Sequence, residues 1–504
     1  MATPGRLLAA SLDVMKKVIR QGIIKSSEIE RTHRERLLKT GFLNEITKGW
    51  LFATDPCILE GRSTPWYAAY WAFVSQYLEK RFKDEYCLAA EASLKIHTGS
   101  TVVPRQLIVF TKRKITQQLD LPFDTSLLIY HEEKRFPADR LKLKDLWIMG
   151  LPAALCRLQP STFKNDPADA EMAMRMIGDA AVLLRILLEN GNTAIAGRIA
   201  GGYRFLGESD FADRIINGME AAGYKIRIEN PFEQTAPALL SGIRIINPYI
   251  SRIEAMWRTM RPEVMKIFPK APGMPDTPDR YLKNIENIYV NDAYNSLSIE
   301  GYEVTPDLIE QIRKGRWNPD ESGRDRQQKD AMAAKGYNLA FKAVLDSIKK
   351  ILNGKNPGVV LSTDHHKWYT QMFSPSVQAG ILKPSDLAGY RSSQVYIKGS
   401  KHVPPPKEAV FDCMETLLNL QKEEQESGVR AVLGHFIFVF IHPYIDGNGR
   451  MGRFLMNAMF ASGGYPWTVI RMERRGEYMI ALEEASISGN IKKLAEIIKR
   501  EGKH

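Results

Sequence analysis

The spacing of hydrophobic positions divides the chain into two parts with different patterns. Up to about residue 235, apolar stretches that fit strands (RQLIVFTK, TSLLIYHE, YKIRIENPF) alternate with stretches of helical spacing (PWYAAYWAFVSQYLEKRF, AEMAMRMIGDAAVLLRILLENG). Beyond that point the spacing is mainly helical, and it predicts helices over 278–296, 305–314, 325–352, 365–379, 406–425, 428–441, 450–462 and 474–500. The pattern therefore predicts a multidomain α+β chain whose second half is mostly helix.

Capping residues and glycines mark where predicted helices begin and end in the first 50 residues. The helical stretch LLAASLDVMKKVIRQ ends at Gly22, and SSEIERT and HRERLLKTG predict two more helices. FLNEITKGWLFA then alternates around Thr47–Gly49, which predicts a hairpin. This order is the outline of a winged helix-turn-helix over 1–95, followed by an α/β segment over 96–235. In a winged helix four basic residues would face a DNA groove: Arg31, His33, Arg34 and Arg36. The alternatives are a small helical domain with a solvated basic face and a protein-docking module.

Composition and charge indicate a globular protein but do not identify what it binds. The chain of 504 residues is 44% hydrophobic and 25% charged, as in ordinary globular proteins. The net charge of +12 is compatible with nucleic acid, nucleotides or acidic surfaces, but it does not choose among them. No apolar run is long enough to span a bilayer, and Asp13 with the basic residues after it argues against a signal peptide. Four scattered cysteines predict neither a disulfide framework nor a zinc site, so we expect a cytoplasmic protein.

The stretch HPYIDGNGRMGR, residues 442–453, is the strongest candidate for chemistry. The apolar helix AVLGHFIFVFI ends at His442, and a glycine-rich turn leads into the next helix. Such a turn directs backbone N–H groups at one point and forms an anion site. Arg450 and Arg453 are three residues apart on the new helix and so share a face above that site. Asp446 could hold Mg²⁺ between phosphates, and His442 could act as a general base.

Two other interpretations of this stretch are open. One is a structural turn with a capping aspartate and solvent-exposed arginines. The other is a metal hydrolase with His435, His442 and Asp446 as ligands, since the two histidines are seven residues apart on one helical face. The arginines disfavour the second interpretation because they crowd a cation, and a packed helix histidine is the simpler role for His435.

This stretch closely resembles the signature of the Fic family, histidine–x–phenylalanine–x–acidic–GNGR–x–x–R. The one departure is Tyr444 in place of phenylalanine, whose hydroxyl needs a partner. The resemblance covers about 240–500 and implies that residues 236–504 form a mainly α-helical Fic catalytic domain with a β-hairpin flap. It implies an enzyme that moves AMP from ATP onto a tyrosine, threonine or serine hydroxyl of a target protein. By that resemblance His442 is the base and Asp446 the Mg²⁺ ligand, and the ATP phosphates are held by Gly447, Asn448, Gly449, Arg450 and Arg453.

Two further stretches extend the resemblance. YRSSQVYIKGSKHVPPP, residues 390–406, is similar to the flap hairpin that registers the target, and its docking residues would be Val395, Tyr396, Ile397 and Lys398. An exposed edge there could pair with an extended peptide, although a plain surface hairpin is the alternative. RRGEYMIALEEA resembles the family segment beside the adenine, so Tyr478 would line that pocket or belong to the core.

SLSIEG, residues 296–301, resembles the family's inhibitory pattern, Ser/Thr–x–x–x–Glu–Gly/Asn. Its residues are Ser296, Glu300 and Gly301. A glutamate at a helix end can pair with Arg453 and occupy the space that the γ-phosphate needs, which would misplace the α-phosphate. An ordinary helix end with Gly301 as its terminating residue is compatible with the same sequence.

The N-terminal stretches GIIKSSEIERTHRERLLKTGFLNEITKGW and STPWYAAYWAFVSQYLEKRF resemble the regulator half of abortive-infection-type antitoxins. Together the resemblances predict an autoinhibited bacterial adenylyltransferase with a winged helix that binds DNA or a partner. The protein is expected to form a homodimer and not to bind a membrane. The alternatives are a DNA-binding regulator whose Fic half senses nucleotide, transfer from another donor such as UTP, and removal of AMP.

Overall fold

The computed structural model describes residues 3–56, 63–134, 136–232, 247–317 and 325–502, without the side chains of 325–328 and 386. The chain forms two compact units. The first unit contains Met1–Arg252 and Tyr396–Val403, and the second contains Ile253–Val395 and Pro404–His504. The predicted boundary after residue 235 lies outside the described residues, and the three-part division 1–95, 96–235 and 236–504 stays a prediction.

The first unit is built from ten helices, nine strands and the start of an eleventh helix, counted over the described residues. In chain order they are α1 (Pro4–Val18), β1 (Ile23–Lys25), α2 (Arg31–Lys39), β2 (Leu43–Thr47), β3 (Trp50–Ala53), α3 (Thr64–Phe82), β4 (Tyr86–Leu88), α4 (Ala90–His97), β5 (Gln106–Thr111), β6 (Gln117–Leu121), β7 (Thr125–His131), β8 (Arg140–Leu143), β9 (Leu146–Met149), α5 (Leu151–Arg157), α6 (Thr162–Asn165), α7 (Pro167–Met176), α8 (Ala180–Asn190), α9 (Thr193–Phe205), α10 (Ser209–Ala221) and α11 (Pro248–Ile267).

The first 53 residues contain the predicted hairpin but not all the predicted helices. β2 and β3 pair antiparallel around Lys48–Gly49, and β1 completes a sheet of order β1-β3-β2. The second predicted helix is only a 3-10 turn, Ser26–Glu28, in which the Glu28 carboxylate accepts a 3.4 Å hydrogen bond from the Lys25 N–H. Because α2 begins at Arg31, the turn has no room to lengthen. The winged-helix assignment stays a prediction.

A second sheet, of order β4-β5-β7-β6, lies in the same hydrophobic cluster as the first. The pair β5–β7 is parallel, whereas β4 and β6 join antiparallel at the edges. The aromatic residues of α3 fill the core, and the indole N–H of Trp66 donates a 2.9 Å hydrogen bond to Thr125 Oγ1. Because one cluster extends from Ile23 to Ile148, the predicted parts 1–95 and 96–235 share a core.

The strand predicted for YKIRIENPF is wrong, because Tyr224–Phe232 forms neither helix nor strand and pairs with no strand in the described chain. It lies against the glycines of α9: the Glu229 N–H donates a 3.2 Å hydrogen bond to the Gly197 carbonyl. A Cβ atom on Gly197 would lie 1.9 Å from the Arg227 carbonyl oxygen. An alternating sequence needs a neighbouring strand to form a ladder, and here a helix backbone occupies that place.

The second unit is helical throughout its described elements. It contains the rest of α11 and then α12 (Pro278–Ile299), α13 (Pro306–Arg313), α14 (Asp325–Leu352), α15 (Pro357–Gln378), α16 (Val410–Glu423), α17 (Ser427–Ile441), α18 (Asn448–Ala461), α19 (Arg475–Ser488) and α20 (Lys492–Gly502). The helix predicted over 474–500 is two helices, because Gly489 adopts a positive φ of 71° and ends α19. None of the described helices is long and apolar enough to cross a membrane.

The β-hairpin predicted over 390–406 does not form. The segment turns at Lys398–Gly399, but its two arms share no ladder. The Pro404–Pro406 run has no N–H groups to donate, and the Gln394 side chain bonds the Pro404 carbonyl at 2.9 Å instead. Within the first unit, His402 forms an isolated antiparallel bridge with Val102.

The contact between α9 and the segment Tyr224–Phe232 can be tested by Gly197→Ala. We expect a lower melting temperature, equivalent to about 1–3 kcal/mol, because the new methyl group overlaps a backbone oxygen that cannot move alone. The control is Gly5→Ala in α1, where no atom lies within 4 Å and alanine favours the helix. Thermal denaturation that gives the same midpoint for both variants would show that the segment does not pack as described.

Candidate active site

His442 is positioned by the end of α17. It caps the helix in the left-handed conformation, with φ 53°, and its N–H donates to the Phe438 carbonyl at 3.0 Å. Its ring Nδ1 lies 3.1 Å from the Val439 carbonyl oxygen, so Nδ1 carries the proton and Nε2 is left as the acceptor. Burial lowers the pKa of His442 to about 4. The imidazole is therefore neutral near pH 7 and able to take a proton.

The turn after His442 is closed by its own polar groups. The Tyr444 N–H donates to Asn448 Oδ1 at 2.9 Å, and Asn448 Nδ2 donates back to the Tyr444 carbonyl at 2.8 Å. Gly447 has a φ of 80°, and a Cβ there would meet the Phe373 ring at 2.8 Å, so only glycine fits. The loop therefore has a fixed shape before α18 begins.

Arg450 is almost wholly buried at the start of α18, with 1% of its surface exposed. Its guanidinium lies 5.1 Å from the ring centre of Tyr302 and 5.2 Å from that of Phe373. Its hydrogen bonds are long: 3.5 Å to the Tyr302 hydroxyl and 3.4 Å to Asp446 Oδ2. Its Nε has no acceptor among the described residues. A buried guanidinium with such weak partners is suited to an additional anion.

Arg453, one turn later, donates three hydrogen bonds to the end of α12, while its Nη1 has no partner among the described residues. Its Nη2 donates to Glu300 Oε1 at 2.7 Å and to the Ser296 carbonyl at 2.9 Å, and its Nε donates to Ser296 Oγ at 2.9 Å. Glu300 Oε1 also lies 2.2 Å from the point where a Cβ on Gly449 would stand. The Glu300 carboxylate therefore occupies the concave side of the glycine-rich turn. Gly301, with φ 88°, ends α12 directly after it.

Asp446 lies at the rim of the loop, with 63% of its side chain exposed. Its Oδ1 accepts a 2.6 Å hydrogen bond from the Gly447 N–H, and Oδ2 faces Arg450. Thus the structure brings together the predicted residues of 442–453 with the predicted inhibitory residues Ser296 and Glu300. Their roles stay predictions.

The hydroxyl of Tyr444 has the partner that the sequence could not name. It lies 3.0 Å from His366 Nδ1, and the tyrosine ring stacks on Tyr369 with centres 3.8 Å apart and planes at 7°. His366 lies on α15. The hydroxyl that distinguishes tyrosine from phenylalanine is therefore satisfied by a side chain of α15.

Tyr478 and His435 form a buried pair below α18. Tyr478 Oη lies 2.7 Å from His435 Nε2, and burial raises the pKa of Tyr478 to about 12. His435 Nε2 is therefore bonded to a tyrosine hydroxyl, which is not the arrangement of a metal ligand. No group of three or more metal-ligating side chains occurs among the described residues. That Tyr478 lines an adenine pocket stays a prediction.

The remaining predicted residues lie in other places. Of the flap residues, Val395 belongs to the second unit, whereas Tyr396, Ile397 and Lys398 belong to the first. The four basic residues of α2 bond mostly within the first unit: Arg31 to Glu35 at 2.6 Å, His33 to Ser11 at 3.0 Å, Arg34 to the Ser26 carbonyl at 2.9 Å and Arg36 to Ser11 at 2.7 Å. DNA binding by these residues and target docking by the flap stay predictions.

Sequence reasoning missed three side chains at the site. Tyr302 covers Arg450, His366 supports Tyr444, and Arg391 donates to the His442 carbonyl at 2.9 Å. Tyr302 could have been found as the aromatic residue two positions after Glu300. The other two left no signal in the spacing, because their partners are distant in sequence.

Comparison with known proteins relates part of this chain to a known family. Residues 364–460 match the Fic/DOC family. The chain is 36% identical over 125 residues to the protein adenylyltransferase Fic of Nematostella vectensis, which covers 24% of this chain and 29% of that protein. It is 28% identical over 214 residues to the Drosophila grimshawi protein of the same name, covering 42% of this chain and 40% of that protein. Residues 364–460 therefore carry a domain of the Fic/DOC family, and these matches span less than half of the curated relatives.

Similar solved structures include a fragment of Fic-1 from C. elegans. It is 17% identical with a TM-score of 0.37, and the match covers 67% of this chain and 94% of that one. A Fic domain containing signaling protein from Bacteroides thetaiotaomicron is 15% identical with a TM-score of 0.35, covering 51% of this chain and 91% of that chain.

The role of the Tyr444 hydroxyl can be tested by Tyr444→Phe. We expect a loss of about 1 kcal/mol in the free energy of unfolding, because one buried hydrogen bond to His366 disappears while the stacking on Tyr369 remains. In the His366→Ala background the same substitution should have almost no effect, because the hydroxyl has already lost its partner. Urea denaturation measures both. Equal losses in the two backgrounds would mean that the pair does not interact.

Proposed function

We propose that this chain is an autoinhibited protein adenylyltransferase that moves AMP from ATP onto a hydroxyl side chain of a target protein. The observation that carries the proposal is the position of the Glu300 carboxylate, 2.7 Å from Arg453 Nη2 and against Gly449. It is an anion held in a glycine-rich turn at a helix start, where a phosphate would bind. Relatives named protein adenylyltransferase Fic match this chain over 125 and 214 residues.

The transfer requires a base, a phosphate clamp and a properly placed α-phosphorus. The hydroxyl oxygen of the target would attack the α-phosphorus and form a new P–O bond. Its proton would pass to Nε2 of His442, which is free to accept because Nδ1 donates to the Val439 carbonyl. The bond from the α-phosphorus to the bridging oxygen would break, and pyrophosphate would leave with the electron pair. Arg450 and Arg453 would stabilise the charge that develops on the phosphates.

The residues at the site fit one magnesium ion held mainly by its substrate. Among the described residues only Asp446 presents an exposed carboxylate beside Arg450, and no larger ligand cluster exists. Mg²⁺ commonly uses one or two carboxylates and completes its shell with water and phosphate oxygens. When bound, the cation would neutralise phosphate charge next to Asp446.

Inhibition would act on both arginines at once. Glu300 accepts from Nη2 of Arg453, and Tyr302, two residues later, lies over Arg450 with its hydroxyl 3.5 Å from Nη2 of that residue. ATP would then lack its arginine contacts for the outer phosphates, and its α-phosphorus would be poorly presented to the hydroxyl.

The inhibitory role can be tested by Glu300→Gly with ATP labelled at the α- or the γ-phosphate. We expect incorporation of α-label into the protein itself or into lysate proteins to rise at least about tenfold, with no incorporation of γ-label. Asp279→Gly, at the other end of α12, is the matched control and should leave the rate unchanged. Absence of α-label in the Glu300→Gly protein would refute the proposed transfer, and incorporation of γ-label would indicate a kinase.

The pH dependence follows from the lowered pKa of His442. A base with a pKa of about 4 is already unprotonated at pH 6, so lowering the pH from 8 to 6 should change the rate of the Glu300→Gly form by less than about twofold. Below pH 5 the rate should fall as His442 becomes protonated. His442→Ala should abolish the transfer at every pH. A rate that halves near pH 6.5 would show that the base titrates as an ordinary imidazole.

A further inference from the structure

Arg391 is a buried cation that bonds to backbone on both sides of it. Only 4% of its surface is exposed. Its N–H donates to the Pro443 carbonyl at 2.8 Å, and its Nε donates to the His442 carbonyl at 2.9 Å. Its Nη1 donates to the Ser393 carbonyl at 2.9 Å, and its Nη2 to the Pro405 carbonyl at 2.5 Å. One side chain thus joins the start of the candidate catalytic loop to both ends of the 392–406 segment.

The carbonyl of His442 needs such a donor. His442 adopts a left-handed backbone conformation that residues with a Cβ rarely use, and that persists only when neighbours hold it. It lies just past the end of α17, where carbonyls have no partner within the helix. Pro443 has no N–H, so it cannot join a regular turn as a donor. The two bonds from Arg391 satisfy the His442 and Pro443 carbonyls.

A guanidinium is the group that fits this place. Its fixed fork of N–H donors reaches the His442, Ser393 and Pro405 carbonyls at the same time. A lysine could reach only part of this set, and a glutamine has too few donors. None of these bonds involves Arg450 or Arg453, so the phosphate contacts do not depend on it directly.

We propose that Arg391 is a positioning residue for the proposed AMP transfer, which fixes the backbone of His442 so that its Nε2 faces the attacking hydroxyl. The inference rests on the proposed function for its kinetic consequence, but not for its structural one. Because the ring of His442 is also tied through Nδ1 to Val439, bonds at both the ring and the carbonyl set its orientation. Loss of the carbonyl bond should therefore move the base while ATP still binds.

The kinetic test uses Arg391→Gln and Arg391→Lys in the Glu300→Gly background. We expect Arg391→Gln to lower kcat at least about 30-fold, whereas the dissociation constant for ATP changes less than about threefold. Arg391→Lys should recover part of kcat, because an ammonium can donate to one of the carbonyls. A rise in the ATP dissociation constant in proportion to the loss of rate would overturn the proposal.

Arg430→Gln is the matched control for general damage. Arg430 is also buried in the second unit, where it donates to the Glu424 carbonyl and to Ser462 Oγ at 2.8 Å, away from the loop. Arg430→Gln should lower the melting temperature by about as much as Arg391→Gln does. Its kcat should stay within about threefold of that of the Glu300→Gly protein. If Arg430→Gln and Arg391→Gln lower kcat equally, Arg391 has only a structural role.

A measurement on the protein with Glu300 intact separates this inference from the proposed function. Diethyl pyrocarbonate modifies neutral, accessible imidazoles, and peptide mass spectrometry can follow His442 alone. Arg391→Gln should change the modification rate of His442 at least about fivefold, with no change at His131, a residue of the first unit, and none in Arg430→Gln. An unchanged rate at His442 would refute the positioning role even if AMP transfer were demonstrated. A changed rate would support it even if the Glu300→Gly protein transferred no AMP.

Discussion

The site depends on the burial of two guanidinium groups at the first turn of α18. A buried cation needs an anion or several hydrogen-bond acceptors, because water is not available to solvate it. Arg453 obtains its acceptors from Ser296 and Glu300, whereas Arg450 has two aromatic faces and only long hydrogen bonds. The two arginines are therefore unequally satisfied: Arg453 has the Glu300 carboxylate at 2.7 Å, whereas the Asp446 carboxylate lies 3.4 Å from Arg450.

The bonds around the loop fall into two groups that serve different purposes. Hydrogen bonds to backbone groups fix the loop: Asn448 closes the turn on Tyr444, and Arg391 holds the carbonyls that follow α17. Ionic contacts fill the concave side, where Glu300 meets Arg453. Because the first group involves no exchangeable anion, the loop can keep its shape while the occupant of the concave side changes. The bonds that set the shape of the loop are therefore different from the ionic contact that would control its occupancy.

Sequence reasoning succeeded where a feature is local. The end of α17, the glycine turn and the start of α18 follow from neighbouring residues, and the Glu300–Arg453 pair was reached only through a family pattern. It failed where a partner is distant. YKIRIENPF alternates like a strand, yet α9 lies where its ladder would form, and the 390–406 segment ends in prolines that cannot donate. Arg391 was overlooked because backbone carbonyls, its main acceptors, leave no compositional trace.

Gly301 has a consequence for how this protein can evolve. It separates Glu300 from Tyr302 with a φ of 88°, and no atom lies within 4 Å of the position a Cβ would take. Space therefore does not forbid a larger residue there, and only the backbone conformation does. Substitutions at Gly301 would change the backbone path between Glu300 and Tyr302 gradually. They would not contact Arg450 or Arg453. Under the proposed function, natural variation at residue 301 would change the basal rate of AMP transfer. The residues of the loop that carry the chemistry would stay the same.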